Sequence, residues 1–133
     1  MNTPSVERYR EQECLSAPPG RLVVLTFDSL LAALTRARVG TETRSPELTA
    51  RGVQQARDLL GELLATLDRE RGGDIAASLA SLYVFCLAQL QVGTGTGQRA
   101  PFDRLIALLS PIREAFAEIS SAPHSATSRQ GLA

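Results

Sequence analysis

Residues 65–83 read ATLDRERGGDIAASLASLY, a charged run and a double glycine set between two stretches of helix-forming sequence. Arg69 and Arg71 suit the negative end of a helix finishing here, Gly72 or Gly73 can take the left-handed cap, and Asp74 can open the next helix. The double glycine therefore reads as a hairpin turn between helices. That reading sets the register of the segments on either side.

Upstream, Ser45 reads as an N-cap, Pro46 takes the first helical position where a missing N–H costs nothing, and Glu47 faces the positive end of the helix. Val53, Ala56, Leu60, Leu63 and Leu67 then recur at steps of three and four, widened by Leu59 and Leu64. Arg51, Gln54, Asp58, Glu62 and Arg69 fill the other side, which makes an ordinary amphipathic bundle helix. An earlier helix runs from the Pro18-Pro19-Gly20 punctuation to about Val39, with Gly40 placed to cap it and GTETRS as a polar connection. Its apolar residues, Leu22, Val23, Val24, Phe27, Leu30, Leu31, Leu34 and Ala37, spread over about 200° of arc, enough for two apolar neighbours.

Downstream, Ile75, Leu79, Leu82, Tyr83, Cys86 and Leu90 mark a core side, but Val84 and Phe85 project off it, and no charge occurs from Ile75 to Gln98. A helix without a charged face is buried on most sides, spans a membrane or meets a partner. Ser78, Ser81, Gln89 and Gln91 interrupt the span a membrane would need, and central burial and a partner surface stay open. After GTGTGQR a fourth helix begins near Pro101, with Phe102, Leu105, Leu109, Ile112, Phe116 and Ile119 in register, and Pro111 predicts a kink near Ala107 to Pro111. Short connections favour antiparallel neighbours, so the expected fold is all-α, an antiparallel up-down four-helix bundle. The expected division is a bundle domain over residues 1–119, with a flexible N-terminal segment, and a disordered C-terminal tail over residues 120–133.

Composition narrows the function. Fourteen arginines balance 14 acids in 133 residues, so there is no basic field to draw nucleic acid. The N-terminal stretch is too polar for a secretory signal, and the mature chain is expected to start here. Cys14 and Cys86 form neither a disulfide framework nor a metal spacing, and a reducing compartment fits them best. His124 is the single histidine and lies in the tail, leaving serine or cysteine nucleophiles without a base. The Gly93–Gly97 run lacks both the preceding strand and the lysine of a phosphate loop and reads as a flexible connection. Asp68, Glu70 and Asp74 read as caps and local ion pairs. No catalytic residue, metal site or cofactor is expected.

The order of motifs resembles the flagellin-specific export chaperones, the FliS family. Tyr9, Ser16-Ala17-Pro18-Pro19 and Thr26-Phe27-Asp28-Ser29 are similar to that family's opening tyrosine, Thr-Ala-Ser-Pro and Leu-Tyr-Asp-Gly elements. Leu67-Asp68, Glu70, Gly72-Gly73, Ile75-Ala76, Leu79 and Leu82-Tyr83 fall in register with Ser-Leu-Asp-x-Glu-x-Gly-Gly-Glu-Ile-Ala and the Leu-Tyr that follows it. Ile112-Arg113-Glu114-Ala115-Phe116 resembles Leu-Arg-Glu-Ala-Trp. Where the family commonly carries Leu-Tyr-Asp-Tyr-Met, this chain has Leu82-Tyr83-Val84-Phe85-Cys86, an apolar replacement of a polar rim.

The resemblance implies a cytoplasmic, non-enzymatic helical bundle. It would bind the C-terminal segment of newly made flagellin, prevent premature polymerisation and deliver it to the flagellar export apparatus, without nucleic acid and without stable membrane insertion. It implies Tyr9 as the residue of an N-terminal segment that shields the flagellin groove. Leu22, Leu79, Leu82, Tyr83 and Phe85 are the expected groove residues. The competing expectation is a helical adaptor or a self-associating bundle in which the third helix pairs with another copy of itself.

Overall fold

The structure, a computed structural model, describes residues 19–121. Its four helices are α1 (Pro19–Glu42), α2 (Pro46–Ala65), α3 (Arg69–Thr96) and α4 (Ala100–Ser121), and no strand occurs among the described residues. α2 opens as its sequence dictates, the Ser45 hydroxyl accepting from the Leu48 N–H at 3.3 Å with Pro46 and Glu47 in the first turn.

The helices form a closed ring in which α1 packs on α2 and α4, and α3 packs on α2 and α4. Gly40 meets Thr49 and Gly52 meets Ala37 and Ala33, so α1 and α2 run antiparallel. Asp28 pairs with Arg113 and Arg38 with Asp103, so α1 and α4 do too. Gly93 meets Phe102, as the chain turns from α3 into α4. The result is the expected up-down order, with α1 and α3 on a diagonal, meeting across the core through Phe27 and Tyr83. Phe27, Leu30, Leu34, Ala56, Leu60, Cys86, Leu90, Phe102 and Leu109 are all completely buried.

Glycines account for most departures from the sequence reading. α1 does not stop at Gly40 but runs to Glu42, and Gly40 is buried against Thr49 instead of capping. The left-handed cap falls on Arg44 (φ 55°), whose N–H donates to the Thr41 carbonyl while the Ser45 N–H donates to that of Gly40. α2 stops at Ala65, so Leu67 and Arg69 lie outside it, Leu67 half-buried against the core. Asp68 caps a single helical turn through Arg71, and Gly73 (φ 52°, ψ −125°) then kinks the chain into α3 proper. The Gly93–Thr96 run is helical, because Gly93 leaves room for the Phe102 ring and only Gly97 (φ 67°) ends the helix.

α4 continues past Pro111 to Ser121 rather than breaking. Pro111 and Ala107 are both exposed, so the Ala107 carbonyl that loses its helical donor faces water, which lowers the expected penalty. Ser120 and Ser121, expected in the tail, are the last residues of α4. The remainder of that stretch, together with Tyr9, Cys14 and His124, lies outside the described residues.

Candidate functional site

Between the first half of α3 and the second half of α4 runs an open apolar groove of about 370 Å³, lined by Asp74, Ile75, Ser78, Leu79, Leu82 and Ile112. Its α3 wall exists because Ile75, Leu79 and Leu82 are spaced four and three apart and flank the buried row of Ala76, Tyr83 and Cys86. On α4, Leu108 and Ile119 share the face of Ile112 by spacing of four and seven, and they stand 38% and 70% exposed. Ile75 is the most open wall at 72%. Asp74 is the one charged residue of the lining, so the groove suits an apolar helical face and offers a charge no partner beyond its end.

The five residues expected in a groove do not assemble there together. Leu79 and Leu82 line it, half-buried. Tyr83 does not reach the surface: it is 1% exposed, its ring 6.4 Å from that of Phe27, and it supports the groove from beneath. Phe85 lies about 60° round α3 from Leu82, on the outward face, 49% exposed. Leu22 sits 18 residues, five full turns, before Gly40 and so faces the α2 side of α1, away from α3 and α4. Ile75, Ile112 and Ile119 carry the spacing of core positions, yet the neighbouring helix leaves each of them partly uncovered.

The motifs that carry the family resemblance converge behind this groove. Phe27 packs on both Tyr83 and Phe116, the latter with ring centroids 5.7 Å apart. Arg113 donates to both carboxylate oxygens of Asp28, at 2.7 and 3.3 Å, in a bidentate pair that fastens α1 to α4. Burial, with Cys86 beside it, pushes the Tyr83 phenol up to about 12, and burial pushes the Cys86 thiol up to about 11, so both stay neutral at physiological pH. Cys86 is therefore a small core hydrophobe, not a nucleophile. Among the described residues no group of three or more His, Cys, Asp or Glu is placed to hold a metal ion.

α3 is long and apolar enough to cross a membrane by length and composition alone. In the bundle its core row is covered by α2 and α4, while Val84, Phe85 and Val92 stay on the outside.

Comparison with known proteins agrees with the residue-level resemblance. The family model for the flagellar protein FliS matches residues 1–123. The chain is 32% identical over 111 residues to the flagellar secretion chaperone FliS of Salmonella typhimurium, covering 83% of this chain and 82% of that protein. It is 29% identical over 110 residues to the flagellar secretion chaperone FliSB of Pseudomonas aeruginosa, covering 83% and 87%. Against the flagellar secretion chaperone FliS of Campylobacter jejuni it is 23% identical over 119 residues, covering 90% and 93%.

Proposed function

Because the chain belongs to the flagellar protein FliS family, we propose that it is a flagellar secretion chaperone that binds the C-terminal segment of newly made flagellin. It works in the cytoplasm without catalysing a reaction, holds flagellin back from polymerisation, and delivers it to the flagellar export apparatus. The observation that carries the binding step is the α3–α4 groove, apolar along both walls with charge only at Asp74. An amphipathic segment that cannot fold alone can order itself in such a groove as a helix, its anchors spaced three and four apart. Covering Ile75, Leu79, Leu82 and Ile112 is worth on the order of 5 kcal/mol from the chaperone side, since three of the four are already half-buried. The client's own apolar face adds a similar amount, against about 2–5 kcal/mol for ordering it and a further cost of association, which supports micromolar rather than picomolar binding.

In this reading Tyr9, in the segment before the bundle, shields the groove until flagellin arrives. Bundle and tail retain separate roles, and α3 works in water rather than in a bilayer.

Calorimetric titration with a peptide of the flagellin C-terminal segment from the same genome tests the binding step. The expected result is one-to-one binding with a negative heat-capacity change, lost in Leu82→Asp and in Ile112→Asp while circular dichroism still reports the helical bundle. Absence of binding by the unsubstituted chain, or undiminished binding by both folded variants, refutes it.

A further inference from the structure

Of the three acids around the double glycine, one is unused by the fold. Asp68 caps the first turn of α3, accepting from the Arg71 N–H at 3.1 Å, and pairs with the Arg71 guanidinium at 3.7 Å. Glu70 stands on the same turn, outside the groove lining. Asp74 is exposed, and among the described residues its carboxylate has no hydrogen bond and no ion pair, although the sequence reads it as a cap. It does line the groove, beside Ile75, at the end where α3 proper begins.

No other charge competes there. From Ile75 to Gln98 the chain carries none. On α4, Arg113 is turned to Asp28 of α1, and Glu114 and Glu118 line the cleft between α4 and α1. The walls are otherwise apolar side chains and Ser78. Anchors at steps of three and four fit such walls in either direction; a single carboxylate at one end makes the two directions unequal.

We infer that Asp74 sets the direction and register of the client helix in the α3–α4 groove, by pairing with a lysine or arginine one turn beyond the anchor that covers Ile75. The inference rests on the flagellin reading of that groove and names what that reading leaves open, the charge pattern of the client.

Ile75 to Leu82 is seven residues, two turns or about 10 Å. A client helix therefore lays three anchors along this wall, and its next turn overhangs the Asp74 end. The client's own helix decides which of its ends that is. Lysine and arginine are favourable in the last turn of a helix, at the negative end of its dipole, and acids are favourable in the first. A segment that becomes helical only on binding is thus ordered at least cost with its cation C-terminal. It lies antiparallel to α3, its C-terminal end at Asp74. The reverse direction would bring an acidic first turn against Asp74, like charge on like. An exposed pair of this kind changes affinity about two- to fivefold. Asp74 selects orientation and partner, and the apolar walls supply the affinity.

The test is calorimetric titration of the full-length chain with the flagellin C-terminal peptide in three forms, with a basic residue, glutamine or glutamate in the last helical turn. The basic form is expected to bind about two- to fivefold more tightly than the glutamine form, with the glutamate form weakest. The differences should shrink above about 0.5 M salt. Asp74→Asn should erase the preference and Asp74→Arg should reverse it, so that the glutamate form binds best; a purely structural role for Asp74 would not produce that reversal. A nitroxide on the C-terminal end of the peptide should broaden the Ile75 amide resonance more than that of Leu90, and one on the N-terminal end the reverse. Equal binding of the three forms, a preference unchanged in both variants, or broadening in the opposite sense overturns the inference and leaves the groove as the client site. A natural flagellin segment with no basic residue in its last helical turn does the same. Binding of no form by the unsubstituted chain overturns both readings.

Discussion

Replacing Gly52 by alanine should destabilise the bundle, although the same change elsewhere in α2 should stabilise it. A Cβ at Gly52 would lie 2.6 Å from the Ala37 nitrogen, 2.7 Å from the Ala33 oxygen and 2.9 Å from the Ala37 Cα. All three are backbone atoms of α1, so no side chain can swing aside. Restoring ordinary contact requires α1 and α2 to separate by roughly 0.7 Å, a gap that forfeits a quarter to a half of each dispersion contact along their interface. Overpacking of this kind costs about 1–3 kcal/mol, and the rigid neighbours put Gly52→Ala at the upper end. Alanine returns about 1 kcal/mol through helix propensity, for a net loss of about 2 kcal/mol. Gly61 is the control: it lies in the same helix, exposed, and a Cβ there would have no neighbour within 4 Å. Gly61→Ala should therefore gain about 0.5–1 kcal/mol. Urea unfolding followed by helical circular dichroism reads both values. A Gly52→Ala protein as stable as the unsubstituted chain, or two variants shifted in the same direction, would refute the close-contact argument.

Arg44 holds a left-handed backbone at φ 55°, so Arg44→Gly should raise the unfolding midpoint, equivalent to about 1 kcal/mol, in the same assay. The folded state keeps protons on Tyr83 and Cys86 up to about 12 and about 11, whereas the unfolded chain releases them from about pH 9–10. These two groups thus leave stability flat below that range and lower it as pH rises through it; urea midpoints at successive alkaline pH values measure this, and a rise would contradict it. Amides of α3 should exchange hydrogen faster than those of α1 around Ala33–Ala37, because α3 is held less extensively by its neighbours and is kinked at Gly73. Mass-resolved exchange showing α3 as the slower helix would contradict this.

The sequence was most legible where local chemistry decides. Ser45, Pro46 and Glu47 state the start of α2 without help from the rest of the chain, and Val53, Ala56, Leu60 and Leu63 fall in the core as their spacing requires. Gly40, Gly52 and Gly93 were opaque because a helix-breaking tendency and a close helix contact are written with the same residue; only the facing backbone or ring tells them apart. The candidate groove was half legible. α3 lacks the charged face that would fix its rotation, so Tyr83, two turns from exposed Ile75, could be assigned to either side, and Phe85 could not be separated from Leu82. On α4 the repeat correctly joined Ile112 and Ile119, but periodicity cannot say how far along a helix its neighbour extends, and that extent leaves Ile119 open.

The ring of packed helices closes between its first and last members: a Cβ on Gly20 would stand 3.5 Å from that of Ser120, while Asp28–Arg113 and Arg38–Asp103 stitch the two helices along their length. No helix is topologically terminal in space. A circular permutant that joins the ends of α1 and α4 through a short linker and opens at the exposed Gly97–Gln98 connection would keep every helix pair of the bundle, and should fold to the same core from a rearranged gene.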